Sequence, residues 1–254
     1  MDEKYLQENE RIDYLIDKRI RIIQKTQGFC FSMDAVLLAN FATVKSGDRV
    51  CDLGTGTGVI PMILADRTKA SQIIGLELQA SMVDMARRSV VLNGMEPLVD
   101  VNLGDIKNAH LIYGSSTFDL VTANPPYMHI FNGINSLAED IAIAKHEIKC
   151  TLEDVLRAGS RIVKSRGRMA MVHRPQRLTD IIAGMRTVRL EPKRIRFVHP
   201  RRKSPANMVL IEAIKDGGTE LTVLNPLVVY NEDGQYTQEL KAIYFGSGGE
   251  NNDT

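Results

Sequence analysis

Residues 50–58 read Val-Cys-Asp-Leu-Gly-Thr-Gly-Thr-Gly, and residues 124–127 read Asn-Pro-Pro-Tyr. Three alternate glycines after an apolar run make a turn whose backbone, free of Cβ atoms, can lie against a ligand. The spacing is G-x-G-x-G, not the G-x-G-x-x-G of dinucleotide sites, where a pyrophosphate rests on a helix N-terminus. Glu77 ends the next apolar run, Gln72–Glu77, where an acid can accept from both hydroxyls of a ribose. Asp105, in Leu103-Gly-Asp-Ile106, is placed to accept from an adenine amino group. Asp52 is expected to order the loop near a ligand ammonium. The candidate cofactor set is therefore Asp52, Gly54, Thr55, Gly56, Gly58, Glu77, Leu78, Asp105 and Ile106, with Asn124 reaching it from the second motif. A plain tight turn with capping acids is the simpler alternative, and four features at these spacings weigh against it.

The second motif suits an amino group. Pro125 and Pro126 lack N–H groups and fix φ, so the loop presents carbonyls without competing donors. Asn124, held extended by the proline after it, offers its side-chain oxygen as a second acceptor. Two acceptors match the two hydrogens of –NH2. Such a group on adenine or an amide is a poor nucleophile, because its lone pair is delocalised into the π system. Hydrogen bonds that favour a pyramidal nitrogen expose that lone pair, and carbonyl dipoles stabilise the cation that forms. Tyr127 would stack on the flat acceptor, contributing about 1–3 kcal/mol for a nucleobase. Asn124, Pro125, Pro126 and Tyr127 are the candidate catalytic residues. The two motifs together imply methyl transfer from S-adenosylmethionine to a planar –NH2 group. A second Asn-Pro dipeptide, Asn225-Pro226, reads as an ordinary turn.

Other chemistry-bearing residues are less specific. His146-Glu147 with Cys150 lacks the second histidine of a zinc-binding H-E-x-x-H, so no metal is expected. His129 reads as a surface-loop histidine near the acceptor pocket. His173-Arg174 and His199-Pro-Arg201-Arg202-Lys203 follow strands and are expected on the same rim, where guanidinium groups grip phosphates. With Tyr127, they give the candidate substrate set Tyr127, His173, Arg174, Arg201, Arg202 and Lys203.

The elements that must position these residues follow from hydrophobic periodicity. The pattern predicts strands at 49–53, 72–77, 99–103, 118–123 and 168–173, with helices at 59–67, 79–93 and 151–164. Such alternation predicts an α/β, doubly wound, mostly parallel sheet covered on both faces. Ligands of that architecture sit outside the carboxyl ends of the strands, where strand order reverses. If the strands at 49–53 and 118–123 are neighbours across that reversal, the two motifs meet. Ile195 and Phe197 alternate with Arg194 and Arg196, so 192–199 and 207–214 are expected as an antiparallel pair at one edge. Residues 19–32 are expected as two short strands around Lys25-Thr-Gln-Gly28, after which Ser32 caps a helix through Phe41. A turn at Asn231–Gly234 and a short helix at 237–244 complete the pattern.

The chain has 254 residues, 44% hydrophobic and 25% charged, which fits one large α/β domain with small additions. No apolar run approaches the roughly 18 residues a membrane span needs, and no signal-peptide pattern opens the chain. Three well-separated cysteines, Cys30, Cys51 and Cys150, fit a reducing cytoplasm and not a disulfide framework. The net charge of +1 hides an asymmetry: Arg157–Lys203 carries fifteen Lys and Arg against Asp180 and Glu191. Residues 212–254 carry eight acids against Lys215 and Lys241. The basic stretch is either a polyanion footprint or a solvated face.

With these motifs the chain resembles the class I S-adenosylmethionine-dependent methyltransferases that carry Asn-Pro-Pro-Tyr/Phe. More closely it is similar to the bacterial family that N6-methylates an adenine beside the anticodon of a valine tRNA. The resemblance rests on Glu10-Arg11 with Asp13–Leu15, Phe31–Ala39, Asp52–Gly58, Gly75–Glu77, Asn124–Tyr127, Val172–Pro175 and Val198–Pro200. It implies a Rossmann-like, seven-stranded sheet whose last two strands are the antiparallel edge pair. Cofactor contacts at Gly54, Gly56, Glu77, Asp105 and Asn124, and a catalytic loop at Asn124–Tyr127, are implied as well. The implied organisation is an N-terminal strand and helix extension at 1–45, a methyltransferase domain at 46–245 and a disordered tail at 246–254. A cytoplasmic, RNA-binding, tRNA-modifying enzyme is expected, acting as a monomer on tRNA with no membrane partner. Two other readings stay open: a protein-glutamine N5-methyltransferase acting on release factors, and a cofactor-binding RNA chaperone without catalysis. A glutamine amide presents the same –NH2 geometry. The basic stretch and the short N-terminal region favour RNA.

Overall fold

The computed structural model describes residues 2–27, 33–125 and 150–245. Outside them fall the expected strand after Gly28, Cys30, Ser32, and Pro126, Tyr127, His129, His146 and Glu147. The tail at 246–254 falls outside as well. The chain opens with an antiparallel hairpin of β1 (Glu10–Leu15) and β2 (Ile20–Lys25), in register from Glu10↔Lys25 to Leu15↔Ile20. β2 is the first of the two strands expected in 19–32, and its partner β1 lies in the segment before it, which the sequence pattern leaves unassigned. The turn went unread because Ile16, Asp17 and Lys18 take φ of 49°, 53° and 62°, a left-handed path with no glycine to signal it. Helix α1 (Met33–Phe41) follows, buried along almost all of its length.

The main sheet begins with β3 (Arg49–Leu53), β4 (Gln72–Glu77), β5 (Val99–Leu103) and β6 (Phe118–Ala123), as the sequence predicts. Then come β7 (Val163–His173), β8 (Leu190–Arg201), β9 (Met208–Lys215), β10 (Thr222–Val223) and β11 (Leu227–Tyr230). The order is β10-β8-β9-β7-β6-β3-β4-β5, with β11 also on β8. All neighbours are parallel except β9, which runs antiparallel to both β7 and β8. The sheet therefore has nine strands, not seven, and the antiparallel pair is not its outermost part. The reason is edge protection. Twelve-residue β8 would leave a long row of unpaired backbone groups, and β10 and β11 cover it at Arg194–Ile195 and at Val198–Arg201. Strand β7 starts five residues early, at Val163, because its Lys-Ser-Arg-Gly stretch bulges opposite the single residue between Phe118 and Leu120 of β6.

Helices cover both faces. On one side lie α1, α2 (Val59–Arg67) and α3 (Ala80–Leu92), sharing a core with β2 through Leu37, Met62, Ile63 and Ile22. After α4 (Ala109–Tyr113), helices α5 (Leu152–Ile162) and α6 (Leu178–Thr187) cover the other side through Leu156, Ile162, Ile181 and Met185. Helix α7 (Gln238–Phe245) closes the chain against α1 and β11. A reciprocal cap starts α5: the Thr151 hydroxyl accepts from Asp154 N while Asp154 Oδ2 accepts from Thr151 N at 3.0 Å. β3, β4 and β6 are buried at nearly every position, which is why they read as mostly apolar runs.

One ion pair is buried beneath the sheet. Arg168 Nη2 donates to Asp48 Oδ2 at 2.7 Å, with the two side chains 8% and 9% exposed. Removing one partner leaves an uncompensated buried charge, so Arg168→Leu is expected to destabilise the fold by about 3–5 kcal/mol. Adding Asp48→Leu should recover most of the loss. Denaturant midpoints of the two variants measure both effects, and equal midpoints would mean the pair is energetically idle.

Candidate active site

Asp52 and Leu53 end β3 beneath the glycine turn, where Gly54, Gly56 and Gly58 take φ of 73°, 57° and 83°. These are left-handed values, which glycine adopts at no steric cost. The turn is pinned from beneath: Gly54 N and Thr55 N donate to Leu76 O, at 2.8 and 3.1 Å. Gly56 N donates to Glu77 Oε2 at 3.0 Å, and Gln79 N to Glu77 Oε1 at 2.9 Å. Thr55 packs over Gly75 so closely that a Cβ there would lie 2.7 Å from its methyl group. Gly58 starts α2 with no side-chain cap, its own N–H donating to Thr55 O at 3.0 Å within the turn.

Two observations test whether this turn fits S-adenosylmethionine. A Cβ on Gly56 would meet nothing within 4 Å, so the backbone there borders open space. Asp52, 1% exposed, has a buried Oδ2 with no hydrogen-bond partner among the described residues, and so does the Thr55 hydroxyl. An orphaned buried carboxylate oxygen is costly unless a ligand donor meets it. Burial pushes the Asp52 carboxyl up to about 7; the bond from Thr122 opposes the rise and the nearby Glu77 charge adds to it. An ammonium group beside Asp52 would restore the ionised form. The residues fit the group. Gly56→Val is expected to weaken S-adenosylhomocysteine binding at least about tenfold, since left-handed backbone costs a branched residue 1–2 kcal/mol and its side chain fills the cleft. Calorimetry checks this, and unchanged affinity would place the ligand elsewhere.

The second motif arrives from the neighbouring strand. β3 pairs parallel with β6, Leu53 opposite Ala123, so Gly54 and Asn124 leave adjacent strand ends at the same level. The sheet grows from β3 towards β4 and β5 on one side and from β6 towards β7 on the other, which makes the gap between β3 and β6 the switch point. The Thr122 hydroxyl donates to Asp52 Oδ1 at 2.6 Å across that gap, fully buried. Thr122 was missed from sequence; its signal is a lone hydroxyl in the apolar run Phe118–Ala123. Asn124 and Pro125 are half-buried at the cleft.

The remaining candidates line the same end of the sheet. Gly104 N donates to Glu77 O at 2.8 Å, drawing the loop after β5 towards β4. Asp105 Oδ1 accepts from Lys107 N at 2.9 Å, which turns the chain so that Ile106 comes to 3.6 Å from the position of a Gly54 Cβ. Leu78 and Leu103 are 43% and 55% exposed beside them, apolar surface of the kind an adenine ring would cover. A small cavity lined by Leu37, Phe41, Leu210 and Leu227 lies apart from this cleft.

His173 ends β7 but is buried, and its Nδ1 accepts from Arg174 N at 2.8 Å. Burial, with Arg177 and Arg174 nearby, pushes it down to about 4, so it adds no charge to the rim. About half of the basic stretch is ion-paired by folding: among the described residues eight of its fifteen cations form ion pairs, Arg194 with Glu212, Arg189 with Asp216 and Arg196 with Glu239 among them. Acids of the C-terminal segment supply three of those partners. Arg201, Arg202 and Lys203 are exposed at the carboxyl end of β8 and have no ion-pair partner among the described residues.

Residues 44–195 match a family model described as a methyltransferase domain. The chain is 27% identical to a tRNA1(Val) (adenine(37)-N6)-methyltransferase of Porphyromonas gingivalis over 70% of this chain and 71% of that one. It is 28% identical to a Haemophilus influenzae protein of the same name over 87% and 92%. Among solved structures, a predicted O-methyltransferase from Agrobacterium tumefaciens superposes with a TM-score of 0.67 at 28% identity, covering 83% of this chain and 95% of that one.

Proposed function

The chain belongs to the methyltransferase-domain family and uses S-adenosylmethionine, and from that premise we propose that it methylates N6 of an adenine in tRNA, the one beside the anticodon of a valine tRNA. The observation that carries this reading is the Leu53↔Ala123 register, which sets Asn124 beside the glycine turn. The similarity to two proteins named for that reaction supports the choice of acceptor.

In this reading Glu77 holds the ribose hydroxyls, Asp105 the adenine amino group and Asp52 the ammonium of the methyl donor. The side-chain oxygen of Asn124 and the carbonyl of Pro125 accept the two hydrogens of the target –NH2 and favour a pyramidal nitrogen. Pro126 removes a competing N–H, and Tyr127 stacks on the base splayed out of the anticodon loop. The amino nitrogen attacks with its own lone pair, so the methyl-transfer step needs no base, and its extra proton leaves afterwards to solvent. No helix among the described residues is long and apolar enough to cross a membrane, and tRNA as substrate puts the enzyme in the cytoplasm.

The test is mass spectrometry of tRNA nucleosides from cells with and without the gene. Loss of N6-methyladenosine from valine tRNA is expected. Unchanged levels, with tritiated methyl passing from the donor to release factor and not to bulk tRNA, would replace this reading with the glutamine one.

A further inference from the structure

The carboxyl end of β8 carries more than a charged turn. Arg201, Arg202 and Lys203 are three adjacent like charges, exposed and without a carboxylate among the described residues. Arg194 and Arg196 on the same strand are ion-paired with Glu212 and Glu239, whereas these three at its end are not paired among the described residues. The turn is also stiff: His199 Nδ1 lies 2.7 Å from Ser204 O, Ser204 N donates to Arg201 O at 3.0 Å, and Arg174 Nη1 donates to Asn207 O at 3.0 Å. Holding like charges in one fixed turn costs self-repulsion, which a polyanion relieves.

Beside that turn stands an aromatic ladder. β11 runs parallel to β8 with Tyr230 opposite Arg201. Tyr230 stacks on Tyr236 with ring centres 5.3 Å apart at 26°, and Tyr236 on Tyr244 at 6.1 Å and 17°. Tyr230, partly buried against the core, ends the ladder with its Cα opposite Arg201. Fixed cations next to aromatic faces are the two components of an unpaired-strand nucleic-acid site, one for phosphates and one for bases.

We propose that the Arg201–Lys203 turn and Tyr230 form a second RNA contact outside the methyl-transfer pocket, the turn gripping phosphates and Tyr230 stacking on an unpaired base. This deepens the tRNA reading above and rests on it for the identity of the RNA. The contact lies on the same sheet end as Asn124, since β6, β7, β8 and β11 all run in one direction. A loop bound there can place a neighbouring nucleotide at the pocket.

Fluorescence anisotropy with a labelled anticodon stem-loop RNA, over a salt series, tests it. Tyr230→Leu should weaken binding about tenfold with an unchanged salt slope, and Tyr230→Phe should bind as wild type. Replacing Arg201, Arg202 and Lys203 together by glutamine should lower the salt slope by about 2 to 3. Unchanged S-adenosylhomocysteine binding certifies each variant as folded. Photocrosslinking of bromouridine-substituted stem-loop to the unaltered protein gives a readout free of any folding defect, with Tyr230 as the expected site. Crosslinks only elsewhere, wild-type affinity in both variants, or equal competition by poly-glutamate would overturn the proposal. RNA binding with these signatures but no methyl transfer to tRNA would sustain the contact and remove the catalytic reading instead.

Discussion

Asn124→Ala is expected to lower the rate of methyl transfer by about 100- to 1,000-fold, the cost of removing one preorganised group that meets charge as it develops. Asn124 stands at the end of β6, one strand from the glycine turn, and in the proposed reading its side chain serves the acceptor and meets the donor only at its margin. S-adenosylhomocysteine binding should therefore weaken by no more than about fivefold, the worth of one hydrogen bond. Single-turnover rates and calorimetry separate the two effects. Near wild-type turnover would remove the acceptor-loop mechanism, whereas a matching collapse in cofactor affinity would recast Asn124 as a cofactor ligand.

The second large effect is a pH dependence centred on Asp52. Burial holds its carboxyl near 7 in the ligand-free protein. If the ionised form meets the donor's ammonium, affinity for S-adenosylmethionine should fall below about pH 7, approaching tenfold per pH unit, with proton uptake into Asp52 as the cause. Thr122→Val removes the hydroxyl that favours the ionised form and should move the midpoint upward, and Thr122→Ser should restore it. Asp52→Asn should bind weakly and flatly across the range.

The sign for stability is opposite. An acid raised from 3.8 to about 7 binds a proton when folded that the unfolded chain has released. The ligand-free protein therefore loses stability as pH rises through that window, and Asp52→Asn should unfold at a higher temperature than wild type at pH 8. Thermal unfolding at pH 5 and pH 8 checks this. A gap between the two proteins that does not widen with pH would mean Asp52 does not titrate in this range.

Much of the site was legible because its signals are local. Alternate glycines report a left-handed turn, and the acid that closes the next apolar run lies at the strand end under that turn, where it accepts from Gly56 N. Burial of β3, β4 and β6 at nearly every position writes itself into the sequence as mostly apolar runs, so those strands have the bounds the periodicity predicts. The first hairpin was not legible, since Ile16, Asp17 and Lys18 carry a turn that their residue types do not advertise. The basic stretch was legible as charge but misleading as surface. Its pairing with Glu212, Asp216 and Glu239 depends on where β9 and α7 pack.

By itself, then, the amino-acid order settled the layering of strands and helices and the chemical types gathered in each motif, because periodicity and backbone preference act over a few residues. Tertiary structure decided which strand ends meet, how β10 and β11 cover the long edge of β8, and which cations find a carboxylate partner. The bond from Thr122 to Asp52 joins positions 70 residues apart. No local rule reports such a contact, because its energy exists only once the strands that carry both partners lie side by side.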